Sequence, residues 1–275
     1  MYSGSTFTAI SGRIVGAHQK IDRLARKQLE YLLPRTFFPG VRAILHFEGY
    51  NGPDAIKRKS PAQDEPWHYI QPFDPNDTQL IELIESHYKQ LVDALVKMDQ
   101  VRASFEAAWL SHAIVDGLTP AHHYPYEEKL VELSSGRSID ERTTVKKKLI
   151  LPGETRSHQL KNNWQMWGPK GLFTTHAAFE YGIAMLIAPL RLRKKIRVTP
   201  DKIAEFEALS IGNWFRHRAQ DIANLGLYDS FYDGGWTVTL ARRIKHRLAP
   251  ALVQAVAIVW YGAAKEAEQI RAARS

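Results

Sequence analysis

Apolar side chains recur at helical spacing along most of this chain, and no stretch alternates apolar and polar residues long enough to build a sheet. That pattern restricts it to an all-α architecture. Ala17–Leu33 carries Ile21, Leu24, Ala25, Leu29, Leu32 and Leu33 on one face, with Lys20, Arg23, Arg26, Lys27 and Glu30 on the others. Thr78–Lys97 repeats the pattern through Leu80, Ile81, Ile84, Tyr88, Leu91 and Leu95, and Asp77 is placed to cap it. Further helices are expected after Asp99, over Gly171–Leu192, from Thr199-Pro200-Asp201 to Asn224, and over Trp236–Arg247 and Pro250–Ala273. Residues 41–77 are punctuated by Gly and Pro and read as a long loop. Residues 124–170 read as an insertion. Its Lys146-Lys147-Lys148 run is either a solvated face or an anion-binding one. With no internal repeat and no evident linker, the expectation is a single domain over 1–275 of roughly eight to ten helices.

The absence of cysteine from the 275 residues excludes disulfides and thiolate metal sites. A net charge of +8 favours anionic partners: phosphodiesters, nucleic acids or anionic lipid surfaces. Met1–Ile10 lacks a basic region followed by an apolar core, so no secretory signal is expected and the protein is placed in the cytoplasm. Ile183–Leu190 and Ala249–Ala264 are apolar but shorter than the ~18–20 residues that span a bilayer. Peripheral membrane contact stays open; a transmembrane segment is not expected.

The densest chemistry lies in Ala108–His123, which contains the pattern HxxxDxxxPxH. His112 and Asp116 are four residues apart, one helical turn on one face. Pro120 cannot continue the helix, so the chain turns near Gly117–Thr119 and can swing His122 back towards that face. Two imidazoles and a carboxylate gathered this way are suitable Zn²⁺ ligands. His176 and Glu180 repeat the four-residue pairing.

The ordered set His18, Asp54, His68, His112, Asp116, His122, His176 and Glu180 resembles the ligand set of the zinc-dependent phospholipase C family. That family is all-helical and related to the single-strand-specific zinc nucleases. The segment His68-Tyr69 followed by Phe73-Asp74-Pro75, and the early Phe37-Phe38-Pro39-Gly40, are similar to family segments, the latter in its glycosyl-phosphatidylinositol phospholipase D branch. The resemblance implies three sites and two or three zinc ions. Asp54, His68, His112 and Asp116 would hold the first ion, and His122, His176 and Glu180 the second. His18 and a bridging Asp116 would hold the third. It implies hydrolysis of a phosphodiester, most simply a phospholipid, with Asp54 as a base on the attacking water. A nuclease acting on single-stranded nucleic acid and a noncatalytic zinc-braced module are the alternatives.

The chain departs from the family pattern in three respects. It begins with Met1 and has no matching N-terminal Trp for the third site. Two aromatic positions of the choline pocket fall at Ala55 and Glu65, which cannot form a cation–π box. The insertion supplies His158 as a rival to His176, and His123 stands beside His122. Trp164 and Trp167 could line a base or acyl-chain pocket but are read as core or loop anchors, and His46, His87, His217 and His246 as structural or surface residues.

Overall fold

The computed structural model describes residues 16–33, 37–56, 67–137, 141–191 and 196–274. In chain order the helices are α1 (Ala17–Leu32), α2 (Val41–His46), α3 (Gln79–Val96), α4 (Gln100–Gly117), α5 (Tyr126–Leu133), α6 (Val145–Leu149) and α7 (Arg156–Trp167). There follow α8 (Leu172–Ile187), α9 (Pro200–Glu207), α10 (Ile211–Ala223), α11 (Leu227–Gly234), α12 (Val238–Arg243) and α13 (Ala249–Arg274). Ten of these have eight residues or more, and the described residues contain no strand.

The stripes converge on one core. α3 and α4 form the most extensive helix pair, and α13 packs across α1, α3 and α4. Trp260 of α13, Trp214 and Phe215 of α10, and Phe179 of α8 are fully buried there. Trp260 packs tilted against Phe38, with ring centroids 5.5 Å apart, and its Nε1–H donates to Ala107 O at 3.1 Å. A smaller cluster of Leu130, Leu151 and Met166 ties α5 and α7 together within the inserted region.

Several boundaries differ from expectation. The loop 41–77 contains α2 and two 3₁₀ turns, Gly49–Asn51 and Pro53–Ala55. Asp77 does not cap α3; Thr78 holds the cap position, and Asp77 Oδ2 instead accepts from the Gln71 N–H at 2.7 Å. Thr199 precedes α9 without a capping hydrogen bond. The expected helix from Pro200 to Asn224 breaks at Ala208–Ser210, because Ser210 caps a new helix by accepting from the Asn213 N–H. α11 was not expected at all. The last two expected helices are continuous: Ile244–Leu248 is a π-helical turn just ahead of Pro250. A wider turn relieves the clash between the proline ring and the carbonyl four residues earlier. Val238–Arg274 is therefore a 37-residue helical run, long and apolar enough to cross a membrane, yet its apolar window is 78% buried in this fold. Met1–Ile10, Glu65 and Leu192 lie outside the described residues.

Candidate metal centre

Three elements build the centre: α4 with the turn that follows it, the loop after α2, and α8. Asp99 starts α4 by accepting from the Val101 and Arg102 N–H groups. α4 ends where Gly117 meets α3 and α10; a Cβ there would stand 2.5 Å from both Leu80 Cδ2 and Phe215 Cζ. The 3₁₀ turn Pro120–His123 then places His122 with His176 and Glu180, not in the triad of Asp54, His112 and Asp116.

Asp116 is the hub of the first cluster. Its Oδ1 lies 3.1 Å from His18 Nε2 and its Oδ2 lies 3.2 Å from His112 Nε2, so its two oxygens face two different imidazoles. Asp54 Oδ1 lies 3.2 Å from the same His112 Nε2. The His18 and His112 rings stack at 4.0 Å. The donor atoms of Asp54, His112 and Asp116 all lie within 4.8 Å of one another. Bonds of about 2.0–2.2 Å to a tetrahedral zinc put neighbouring ligand atoms roughly 3.3–3.6 Å apart, whereas a charge-assisted N–H···O bond is ~2.7–2.9 Å. The 3.2 Å separations lie between the two ranges, and the 2.6 Å contact of His122 with Glu180 is of hydrogen-bond length.

His122, His176 and Glu180 form the second cluster. His122 Nδ1–H donates to His68 O at 3.0 Å, and a carbonyl oxygen only accepts. In the neutral ring, Nε2 therefore presents a lone pair to Glu180 Oε1 at 2.6 Å, and His176 Nε2 lies 3.1 Å from the same oxygen. Burial pushes the His122 imidazole down to about 3, so the ring is neutral at neutral pH. Burial alone would raise Glu180, but the neighbouring histidines His176 and His122 help hold its carboxyl well below the usual range. A cation accepted by two imidazole nitrogens and a carboxylate fits this donor set.

Glu48 and Asp22, which the sequence did not single out, back the first cluster. Glu48 is buried, and its Oε1 accepts from His112 Nδ1 at 2.9 Å, turning Nε2 towards Asp54 and Asp116. A carboxylate behind a ligating imidazole is the usual way its tautomer and orientation are fixed. Burial opposes charge on His112, but Glu48, Asp116 and Asp54 outweigh it and hold its pKa well above the usual imidazole value. Burial likewise opposes ionisation of Asp54 and Asp116, yet His112 and His18 help keep both carboxyls below their ordinary value. His18, Glu48 and His112 make a third candidate triad, sharing His112 with the first. Asp22 accepts from Ser111 Oγ at 2.5 Å, and burial, reinforced by Glu48, raises its pKa well above that of a free carboxyl. The clue was present: His18 and Asp22 have the same four-residue spacing as His112 and Asp116. Glu48 sits in a Gly-rich loop with no periodicity to mark it.

Of the eight residues in the ligand set, seven fall in these triads. The eighth, His68, falls in none of them; its ring stands 5.0 Å from His122 and 4.4 Å from Tyr69. Neither His123 nor His158 joins a triad among the described residues. His123 Nε2–H donates to Gly117 O at 2.8 Å. His87 is buried against Glu106 at 2.6 Å, while His46, His217 and His246 are exposed. Trp167 anchors the insertion by donating from Nε1 to Leu149 O, whereas Trp164 is 69% exposed and packs into no core. Comparison with protein-family models, curated proteins and solved structures finds no match to this chain.

The buried histidines set an acid limit. Burial lowers His122 to about 3 and His123 to about 4, while an unfolded histidine titrates near ~6.5. Between those values the unfolded chain holds two protons that the folded chain lacks, which costs stability as pH falls. Asp22, raised in the fold, offsets one of them. His112, raised in the fold, already holds its proton near neutrality, so stability falls only once pH drops well below ~6.5. In chelator, the urea midpoint is therefore expected to fall between pH 6 and pH 4.5. An unchanged or rising midpoint would contradict this placement of the histidines.

Proposed function

We propose that this protein is a zinc-dependent phosphodiester hydrolase of the phospholipase C type. The observation that carries the proposal is the shared carboxylate Asp116, whose two oxygens face His18 and His112. His122, on the turn that follows, heads the second triad with His176 and Glu180. Zinc held there would act as a Lewis acid on a phosphoryl oxygen and lower the pKa of water to about 7.

The chain's own residues prepare that chemistry. Glu48 orients His112, and the His68 carbonyl orients His122. Asp54 is the most exposed side chain of its triad, at 19%, which puts it on the side that solvent and substrate reach. A carboxyl held so low is a weak base, so ligation is a better role for it than accepting a proton from the attacking water. Beside Thr175, the residue before His176, a cleft of about 320 Å³ is lined by Tyr124, Tyr228, Tyr232, Lys129 and Lys170. Lys170 offers it a cation, Lys129 being paired at 3.0 Å with Glu132 of the same lining, and the tyrosines offer aromatic edges to an anionic ester.

The test is a substrate panel of phospholipid vesicles, single-stranded DNA and single-stranded RNA, each with Zn²⁺ and with chelator. Zinc-dependent release of phosphorylated head group is the expected result. Release of nucleotides instead would make it a nuclease. Bound zinc with no diester cleaved would leave a metal-braced helical module.

A further inference from the structure

The inserted region carries a surface that the metal chemistry does not use. Within residues 141–170, seven Lys and Arg stand against only Glu141 and Glu154. The same stretch exposes large apolar side chains: Leu160 at 73%, Trp164 at 69%, Leu149 at 53% and Ile150 at 47%. Leu160 and Trp164 are one turn apart on α7, and Arg156 lies one turn earlier on that face. Asn162 and Met166 on the other face of α7 are buried. On α6, Val145 and Leu149 are likewise one turn apart and exposed, next to Lys146 and Lys147. The apolar residues continue to Phe173 at the start of α8, which packs on Trp167.

We propose that this face docks the protein on an anionic lipid bilayer, with Leu160, Trp164, Leu149 and Ile150 entering the head-group and acyl boundary and the flanking lysines meeting lipid phosphates. Exposed aliphatic and Trp side chains beside cationic ones are the composition of interfacial helices. Single-stranded nucleic acid rewards aromatic stacking, and Leu149, Ile150 and Leu160 have no ring to stack. A symmetric dimer would set this cationic patch against itself. Phe173 is three residues from His176, so the docking face is continuous with the helix that carries the second triad. Binding here does not require that the centre be catalytic.

The experiment is flotation of the full chain with vesicles of phosphatidylcholine alone and of equal parts phosphatidylcholine and phosphatidylserine. Flotation with the anionic vesicles only, weakened by salt, is expected. Leu160→Ser with Trp164→Ser, and separately Lys146→Glu with Lys147→Glu, should each weaken binding by about tenfold or more, while Trp164→Phe retains it. These side chains are exposed, so circular dichroism and zinc content should stay unchanged. Equal flotation with both lipids, or unaltered binding by the variants, would overturn the proposal. So would loss of a dimer, or of oligonucleotide binding, in the Ser variant with vesicle binding intact. A chain that floats but cleaves nothing would sink the hydrolase proposal and leave this one standing; one that cleaves soluble diesters but never floats would do the reverse.

Discussion

Asp116→Asn should reduce hydrolysis of any diester substrate by about 10⁴-fold, ~5.5 kcal/mol of barrier, with the helical fold retained. The amide keeps the shape of the carboxylate but removes its charge, and its nitrogen can only donate. In the native chain one oxygen faces His18 and the other His112, so a single substitution disables both positions. No other ligand in the set serves two imidazoles of the first cluster in this way. The second triad, His122 with His176 and Glu180, does not use Asp116 as a donor and should persist. Steady-state turnover beside circular dichroism checks the expectation. A fall below tenfold in a folded variant would mean that the first cluster braces the fold and takes no part in the reaction.

Trp260→Ala should cost about 4 kcal/mol of stability, a shift of roughly a thousandfold in the folding equilibrium. The side chain is fully buried between α13 and its neighbours, beside Phe38, and donates its only N–H to Ala107 O. Truncation removes the largest kind of apolar surface, opens a cavity between close-packed helices and deletes a buried hydrogen bond. Ala107 lies in the same helix as His112 and Asp116, so loosening here should also weaken zinc retention. Urea denaturation followed by circular dichroism measures the loss. A cost below ~1 kcal/mol would contradict the packing assigned to α13.

Helices whose apolar positions repeat over three turns or more were legible in the sequence, because burial of one face dictates that spacing. α1, α3 and α8 are of this kind, whereas α4 and α13 are buried on every side over their central turns and show as apolar runs instead. The short elements were not. α2 and the 3₁₀ turns near Glu48 and Asp54 are too brief to show a period, and Pro and Gly within them read equally well as loop punctuation. The break at Ser210 depends on a serine bonding a local N–H, a weaker signal than the stripe that runs across it. The continuity of α12 and α13 depends on a π turn that accommodates Pro250. At the centre, pairs on one helix, His112 with Asp116 and His176 with Glu180, were visible as four-residue spacings. Spacing alone could not join Asp54 and His18 to them, which only the family resemblance implied, and nothing marked Glu48, since those contacts cross between elements far apart in the chain. The exposure of Trp164 was missed because a tryptophan is ordinarily assigned to the core.

The most direct test is the metal content of the purified chain by plasma mass spectrometry, beside Asp116→Asn. About two to three zinc ions per native chain are expected, falling to about one in the variant, where the His122, His176 and Glu180 set remains. Near-zero zinc in the native chain, not restored by dialysis against Zn²⁺, would contradict the metal centre and the hydrolase built on it.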